Sequence, residues 1–159
     1  MSQFQLLPYK EFARLSLDQF LAGEPIPRRD IALLENWEFM GGVWNGRAIG
    51  FSKFLSLETW PEELGSIAVD THALPDRVVS SIFKTLRLPV VAGMSVSTIE
   101  SLFGSPRKKL SFVADRFTYE YVLGDVELYR VSFTIRESIG LSYVVVIRGD
   151  LLALCNIEA

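Results

Sequence analysis

The sequence predicts an α+β fold made of two tandem repeats, each a helical hairpin followed by a four-stranded antiparallel sheet. Three observations predict it: helical and strand-like segments alternate, turn residues separate them, and short motifs recur in the same order in both halves. We place the boundary near Pro75, so that residues 1–74 form the first repeat and 75–159 the second. We expect one compact unit, a curved sheet with its helices on one side.

The first repeat opens with apolar residues at roughly helical spacing over 9–21, which predict an amphipathic helix ending at Gly23. Asn45-Gly46 is a type I′ turn signal and predicts a hairpin between short strand-forming runs. Strand-forming composition predicts the strands of this half over 30–42, 49–57 and 66–71.

The second repeat opens at Pro75-Asp76-Arg77, and apolar residues at helical spacing predict a helix up to Leu86. Ser97-Thr98-Ile99-Glu100 has the pattern of a capping box, which predicts a short helix that runs to Phe103 and stops at Gly104. Four strand-like runs then predict an antiparallel meander over 110–114, 117–123, 126–135 and 141–148.

The register of the hairpin between the second and third strands of the meander follows from its side chains. A three-residue loop over 124–126 pairs Tyr121 with Tyr129 and gathers the aromatic side chains on one face. The same register places Glu120 opposite Arg130 on the other face. We therefore expect the aromatic face to be the core face and the Glu120 face to be polar.

The evidence for a repeat is the shared order of short matches. Leu21-Ala22-Gly23-Glu24-Pro25 matches Leu102-Phe103-Gly104-Ser105-Pro106, and Trp37-Glu38-Phe39 matches Tyr119-Glu120-Tyr121. Two unrelated halves that both alternate helix and strand remain the alternative explanation.

The segment Gly93-Met94-Ser95, followed by Ile99 and by Phe103-Gly104-Ser105-Pro106, resembles the helix-loop-helix motif of the SmpA/OmlA-type outer-membrane assembly lipoproteins. The fold of these lipoproteins is shared with the beta-lactamase inhibitory protein, and the tandem arrangement of this sequence is similar to that protein's. The downstream pattern also fits: Tyr119 and Tyr121, then Val131-Ser132-Phe133, then Gly140-Leu141. The resemblance covers about residues 93–148. It implies two repeats that present a concave sheet to a partner protein.

Composition excludes several classes of protein. The formal net charge is -3 and the pI about 5.2, which argues against nucleic-acid binding. One Cys and one His exclude a disulfide framework within one chain and argue against a zinc cluster. The most apolar run, 139–147, is too short for a membrane span, and we see no signal peptide. We therefore expect a cytoplasmic protein without a cofactor.

Enzyme chemistry has one weak candidate, His72, which has Asp70 and Asp76 nearby in the sequence. A general base needs an oriented partner and a nucleophile within reach, and the sequence shows no such nucleophile. We interpret His72 as a loop histidine at the repeat junction and predict that the protein is not an enzyme.

The function we expect is the binding of a protein partner, with this chain acting as an inhibitor or a toxin-immunity-type protein. The partner-binding residues we predict are Trp44 beside the tight turn, Trp60 in an acidic loop, and the polar pair Glu120 and Arg130. The alternative is a small-molecule-binding or sensor domain with an aromatic cleft between sheet and helices. The sequence also leaves a homodimer open.

Overall fold

The computed structural model describes residues 5–15, 19, 23, 25–26, 30–34, 49–54 and 63–152. The helices are α1 (Tyr9–Phe12), α2 (Asp76–Leu86), α3 (Val96–Phe103) and α4 (Gly149–Leu152). The strands are β1 (Ile31–Leu34), β2 (Ile49–Phe54), β3 (Glu63–Asp70), β4 (Lys108–Val113), β5 (Arg116–Leu123), β6 (Tyr129–Arg136) and β7 (Gly140–Arg148).

The strands form one sheet in the order β1-β2-β3-β7-β6-β5-β4. All neighbours are antiparallel except β1 and β2, which pair in parallel. The described strands of the first half therefore do not form the all-antiparallel sheet that the sequence predicts for it. The last strand of the first half, β3, lies beside the last strand of the second half, β7, so the sheet is continuous across both halves. An α+β fold with a mainly antiparallel sheet is confirmed.

The second half has the predicted elements: two helices followed by the four-stranded meander β4-β5-β6-β7. Helix α2 forms where the apolar spacing predicts it, and its five apolar positions are the buried ones: Val78, Val79, Ile82, Phe83 and Leu86. The helix ends at Leu86 because Arg87 takes a left-handed conformation (φ 61°) and its N–H bonds back to the Lys84 carbonyl at 3.1 Å.

Helix α3 ends at Phe103 and Gly104 as predicted, but the predicted cap is wrong. The N-cap is Ser95, whose hydroxyl accepts a hydrogen bond from the Thr98 N–H at 3.2 Å. The Glu100 side chain is not part of a capping box, because its carboxylate accepts a hydrogen bond from the Tyr119 hydroxyl. The sequence offers hydroxyls at Ser95, Ser97 and Thr98, and the pattern alone does not distinguish which of them is the cap.

The helix predicted over 9–21 is interrupted. Helix α1 ends at Phe12, residues 13–15 are not helical, and of residues 16–22 only Gln19 is described. The backbone tightens after Phe12, since Leu15 N–H bonds to the Phe12 carbonyl at 3.2 Å. The Ala13 carbonyl accepts the Leu64 N–H of β3 at 3.1 Å, so this carbonyl is engaged by the sheet. The Asn45-Gly46 turn, and most of the strand predicted over 30–42, lie outside the described residues.

The aromatic face of the meander is the core face, as predicted, but the hairpin register is wrong by two residues. Tyr121 pairs with Val131 instead of Tyr129, and the loop is five residues long, 124–128. A shift by two keeps every side chain on the same face, so the burial argument cannot distinguish the two registers. Contacts outside the hairpin distinguish them: the Leu128 carbonyl accepts the Gly149 N–H at 2.8 Å and also the Tyr9 hydroxyl.

The loop that connects α2 and α3 packs on the start of β7. Gly93 donates its N–H to the Leu141 carbonyl and Leu141 donates its N–H to the Met94 carbonyl, both at 2.9 Å. A Cβ on Gly140, which has φ 78°, would lie 2.3 Å from the Gly93 carbonyl oxygen. The approach of the two segments therefore requires glycine at position 140. The Gly-Met-Ser segment and the Gly-Leu pair that carry the family resemblance are in direct contact.

The described residues contain no helix long and apolar enough to span a bilayer. Within the same parts of the chain, no cluster of three or more His, Cys, Asp or Glu residues is arranged to hold a metal ion.

Candidate functional site: a polar cleft on the outer sheet face

The meander has two chemically different faces. The inner face packs against the helices and carries Tyr119, Tyr121, Tyr129 and Phe133, all buried. The outer face is the opposite one, because alternate residues of a strand point to opposite sides. It carries polar cross-strand rows, of which one is Thr118–Thr134–Tyr143–Asp70 and the next is Arg116–Arg136.

A cleft of about 400 Å³ lies at the end of this outer face. It is formed where β3 and β6 end and β5 and β7 begin, so four different strands contribute to it. The lining residues are Asp70, His72, Ala73, Arg116, Thr134, Arg136, Ile139, Ser142 and Tyr143.

Two guanidinium groups stand side by side in the cleft wall. Arg116 and Arg136 are directly opposite each other on β5 and β6, a placement that is unfavourable for like charges. The Asp115 carboxylate offsets the repulsion, with oxygens 3.2 Å from Arg116 Nε and 3.7 Å from Arg136 Nη2. The hydrogen bond from Arg116, together with the charges of both arginines, lowers the pKa of Asp115. One carboxylate thus serves two cations, whose side chains stay about 40% exposed.

Two polar groups of the cleft residues have no hydrogen-bond partner. The Tyr143 hydroxyl and the Arg136 Nε are both buried, and neither has an acceptor among the described residues. Burial is the main cause that raises the pKa of Tyr143, and the negative charge of Asp70 adds to it. Tyr143 therefore remains a neutral hydroxyl at physiological pH, able to donate a hydrogen bond.

The turn after β3 forms the other wall. Asp70 Oδ1 accepts the N–H groups of His72 and Ala73 at 3.0 and 3.1 Å, which fixes the turn. The Thr71 hydroxyl donates to the Leu141 carbonyl at 3.1 Å and lies 3.0 Å from His72 Nδ1. With the hydroxyl proton directed at Leu141, the His72 tautomer protonated on Nδ1 is the one that can donate to the Thr71 oxygen.

This geometry bears on the enzyme hypothesis for His72. Histidine is exposed at the cleft edge, and the hydroxyl nearest to it in the described residues belongs to Thr71. That hydroxyl is buried and donates to a backbone carbonyl, so it is not positioned as a nucleophile. The cleft combines cationic donors, hydroxyls and a small apolar wall of Ala73 and Ile139, an arrangement that suits binding of an anion.

Glu120 and Arg130, predicted as partner-binding residues, lie on the outer face beyond the cleft. They are diagonal neighbours, since Glu120 is opposite Ser132 and Arg130 is opposite Val122. The Arg130 Nε contacts the Glu120 carboxylate in an ion pair, and Glu120 is only 3% exposed. Trp44 and Trp60, the other two predicted residues, lie outside the described residues.

The inner face shows how the aromatic side chains are used. Phe103 of α3 stacks on Phe133 with ring centroids 5.2 Å apart and contacts Tyr121 at 5.6 Å. Phe12 of α1 contacts Tyr129 at 5.2 Å. These rings fill the space between sheet and helices in the described part of the chain. The cleft described above opens on the opposite face.

Sequence reasoning missed Arg116, Arg136 and Tyr143. The signal was present, because Arg116 begins β5 and Arg136 ends β6. In the predicted register, however, Arg116 pairs with Thr134, and the two arginines are not opposite each other. The register error of two residues therefore hid the site.

The resemblance to the SmpA/OmlA-type lipoproteins stays a prediction, and so does the similarity to the beta-lactamase inhibitory protein fold. The two segments that carry the resemblance, residues 93–95 and 140–141, hydrogen-bond to each other. Comparison with known protein families, with curated proteins and with solved structures finds no match to this chain.

Proposed function

We propose that this protein is a non-enzymatic, cytoplasmic protein-binding module whose partner contacts the outer face of the β4-β5-β6 sheet. The specific role that we propose for this protein binding is that of an inhibitor or a toxin-immunity-type protein. The observation that carries the proposal is an exposed patch, which we call the outer patch: Leu110 and Val122 beside the Glu120–Arg130 pair. Leu110 is 38% and Val122 40% exposed.

The outer patch combines the two features of an interface. Its apolar side chains are exposed on regular strands that hold them in fixed positions. Its ion pair is already formed, with Glu120 buried, so little side-chain entropy is lost when a partner covers it.

Charge indicates what kind of partner fits. The outer face carries four cations, Lys108, Arg116, Arg130 and Arg136, against the two carboxylates of Glu120 and Asp70, whereas the chain as a whole has a formal net charge of -3. A partner that presents carboxylates beside apolar side chains is complementary to this surface. Such a surface on an acidic chain favours an acidic protein segment over nucleic acid.

The tandem-repeat arrangement is part of the same proposal. Support comes from the joining of the two halves through their last strands, β3 and β7, and from the helical hairpin and meander of the second half. In this interpretation both halves contribute one continuous face to a partner.

A capture experiment tests the proposal. Tagged wild-type protein and a Leu110→Lys/Val122→Lys variant are exposed to host lysate, and bound proteins are quantified by mass spectrometry. Val126→Lys is the matched control, since Val126 is 89% exposed on the β5–β6 loop. Partner loss with the double variant and retention with the control supports the outer patch. Equal capture by all three proteins would contradict it.

Two further measurements complete the test. Trp44→Ala and Trp60→Ala in the same experiment test the predicted residues of the first half. Light scattering of the purified protein tests a homodimer, and a dimer that dissociates in the double variant would identify a second copy as the partner.

Small-molecule binding is the second candidate function, and one observation favours it. The cleft of about 400 Å³ lies on the outer face and is lined mainly by polar residues. The sequence predicts an aromatic cleft between sheet and helices as the small-molecule site. In the described residues, however, the aromatic side chains there pack against one another.

A further inference from the structure

We propose that the outer-face cleft binds a carboxylate group, held by the guanidinium groups of Arg116 and Arg136 and by the Tyr143 hydroxyl. This inference rests on the second candidate function, and its propionate test does not depend on the outer patch. The shared chemistry is a carboxylate, either of a small organic acid or of an acidic side chain on the protein partner.

The first argument is charge. Two arginines in the cleft wall share the Asp115 carboxylate, which is 3.7 Å from Arg136 and so makes no close hydrogen bond to it. The Asp70 carboxylate also lines the cleft, but its Oδ1 accepts two backbone N–H groups. The guanidinium groups therefore have donors that the described acceptors do not satisfy.

The second argument is the unpaired buried donors. Buried polar groups in proteins are nearly always hydrogen-bonded, so each exception requires an explanation. Here two exceptions, the Tyr143 hydroxyl and the Arg136 Nε, belong to residues that line the same cleft. Both can donate, and a ligand whose acceptor oxygens reach them supplies what both lack.

The third argument is shape. Paired guanidinium groups match the two oxygens of a carboxylate, and charge-assisted hydrogen bonds of this kind are the strong ones. Ala73 and Ile139 give the cleft an apolar part of its lining beside the arginines and hydroxyls. A carboxylate carried on a short alkyl group fits this division better than inorganic phosphate, which has no apolar part.

The test uses propionate as the probe and propionamide as its neutral isostere, at constant ionic strength. Binding is followed on the full chain by NMR, through the Nε–Hε resonances of arginine. We expect saturable shifts with propionate and none with propionamide. Absence of a saturable propionate shift, or an equal response to the amide, overturns the proposal. A saturable response to inorganic phosphate with none to propionate overturns the carboxylate assignment.

Variants locate the site. Arg116→Gln and Arg136→Gln are each expected to weaken propionate binding about tenfold or more, since each removes a charge-assisted hydrogen bond. Lys84→Gln, on the exposed side of α2, makes the same change in net charge and should leave the affinity unchanged. Weakening by Lys84→Gln to the same extent would show a nonspecific charge effect and overturn the site.

Tyr143→Phe separates a ligand-binding role from a structural one. It should weaken propionate binding about fivefold while leaving the thermal midpoint of the free protein unchanged or higher, because the lost hydroxyl has no partner there. Unchanged affinity would remove Tyr143 from the site.

The source of the carboxylate is assigned by repeating the lysate capture with Arg136→Gln. Retained capture, together with propionate binding to the wild type, assigns a free organic acid. Lost capture with propionate binding assigns the partner's acidic side chain.

Discussion

The inner and outer faces of strands β5, β6 and β7 differ in the hydrogen bonding of their tyrosine hydroxyls. On the inner face each hydroxyl has an acceptor: Tyr119 donates to Glu100, Tyr121 to the Gly104 carbonyl at 2.9 Å, and Tyr129 to the Leu7 carbonyl at 2.6 Å. On the outer face the Tyr143 hydroxyl is buried without one.

This difference in hydrogen bonding distinguishes hydroxyls that stabilise the fold from one that we propose contacts a ligand. Satisfied hydroxyls on the inner face fasten α3 and the N-terminal segment to the sheet, so these polar groups stabilise the fold. An unsatisfied buried hydroxyl costs stability, so the Tyr143 hydroxyl requires an explanation, which the proposed ligand supplies. Four measurements test this contrast, beginning with the largest expected effect.

Alkaline pH should unfold the protein. All five tyrosines have pKa values raised in the folded state, mainly by burial or, for Tyr119, by its hydrogen bond to Glu100, and the pKa of Tyr121 rises to about 12. Above pH 10 the unfolded chain loses tyrosine protons that the folded chain retains, so stability falls as pH rises from 10 to 12.

The measurement is absorbance at 295 nm, which reports tyrosinate, alongside circular dichroism. We expect both signals to change together in one step. Tyrosinate that forms over the ordinary range of tyrosine, around pH 10, while the circular dichroism stays native, would contradict the raised pKa values of these hydroxyls.

Phe133→Ala should have the largest effect among single substitutions. Phe133 is fully buried and stacks on Phe103 of α3, so its removal leaves a cavity in the helix–sheet interface. The free energy of unfolding should fall by about 3–5 kcal/mol in urea denaturation. Ser132→Ala, on the neighbouring outer-face position, is the control and should change it by less than about 1 kcal/mol.

Tyr129→Phe should be destabilising although it removes one atom. The hydroxyl donates to the Leu7 carbonyl, and its loss leaves that buried acceptor unpaired. We expect the free energy of unfolding to fall by about 1–2 kcal/mol, measured by the same denaturation. An unchanged value would show that the N-terminal segment is not held through this hydrogen bond.

Tyr143→Phe makes the same chemical change on the outer face and should have the opposite sign. No acceptor is lost, and a buried unpaired donor is removed, so the free energy of unfolding should stay equal or rise by up to about 1 kcal/mol. A loss as large as that of Tyr129→Phe would show that the hydroxyl has a partner, and the contrast between the faces would fail.

The sequence predicts the second half well because local signals there agree with the tertiary structure. The apolar spacing of α2, the glycine stop of α3 and the four strands of the meander all appear. Alternation along β5 and β6 correctly identifies the core face, since a side-chain period of two survives any shift by two residues.

The sequence alone did not determine the hairpin register, the cap of α3, the length of α1 or the cleft. Each depends on a contact between residues that are distant in the chain. These contacts join the Tyr9 hydroxyl to the Leu128 carbonyl, the Tyr119 hydroxyl to the Glu100 carboxylate, and the Leu64 N–H to the Ala13 carbonyl. Neighbour-based patterns carry no information about such contacts. The cleft is the clearest case, because the opposition of Arg116 and Arg136 arises from a register that long-range hydrogen bonds select.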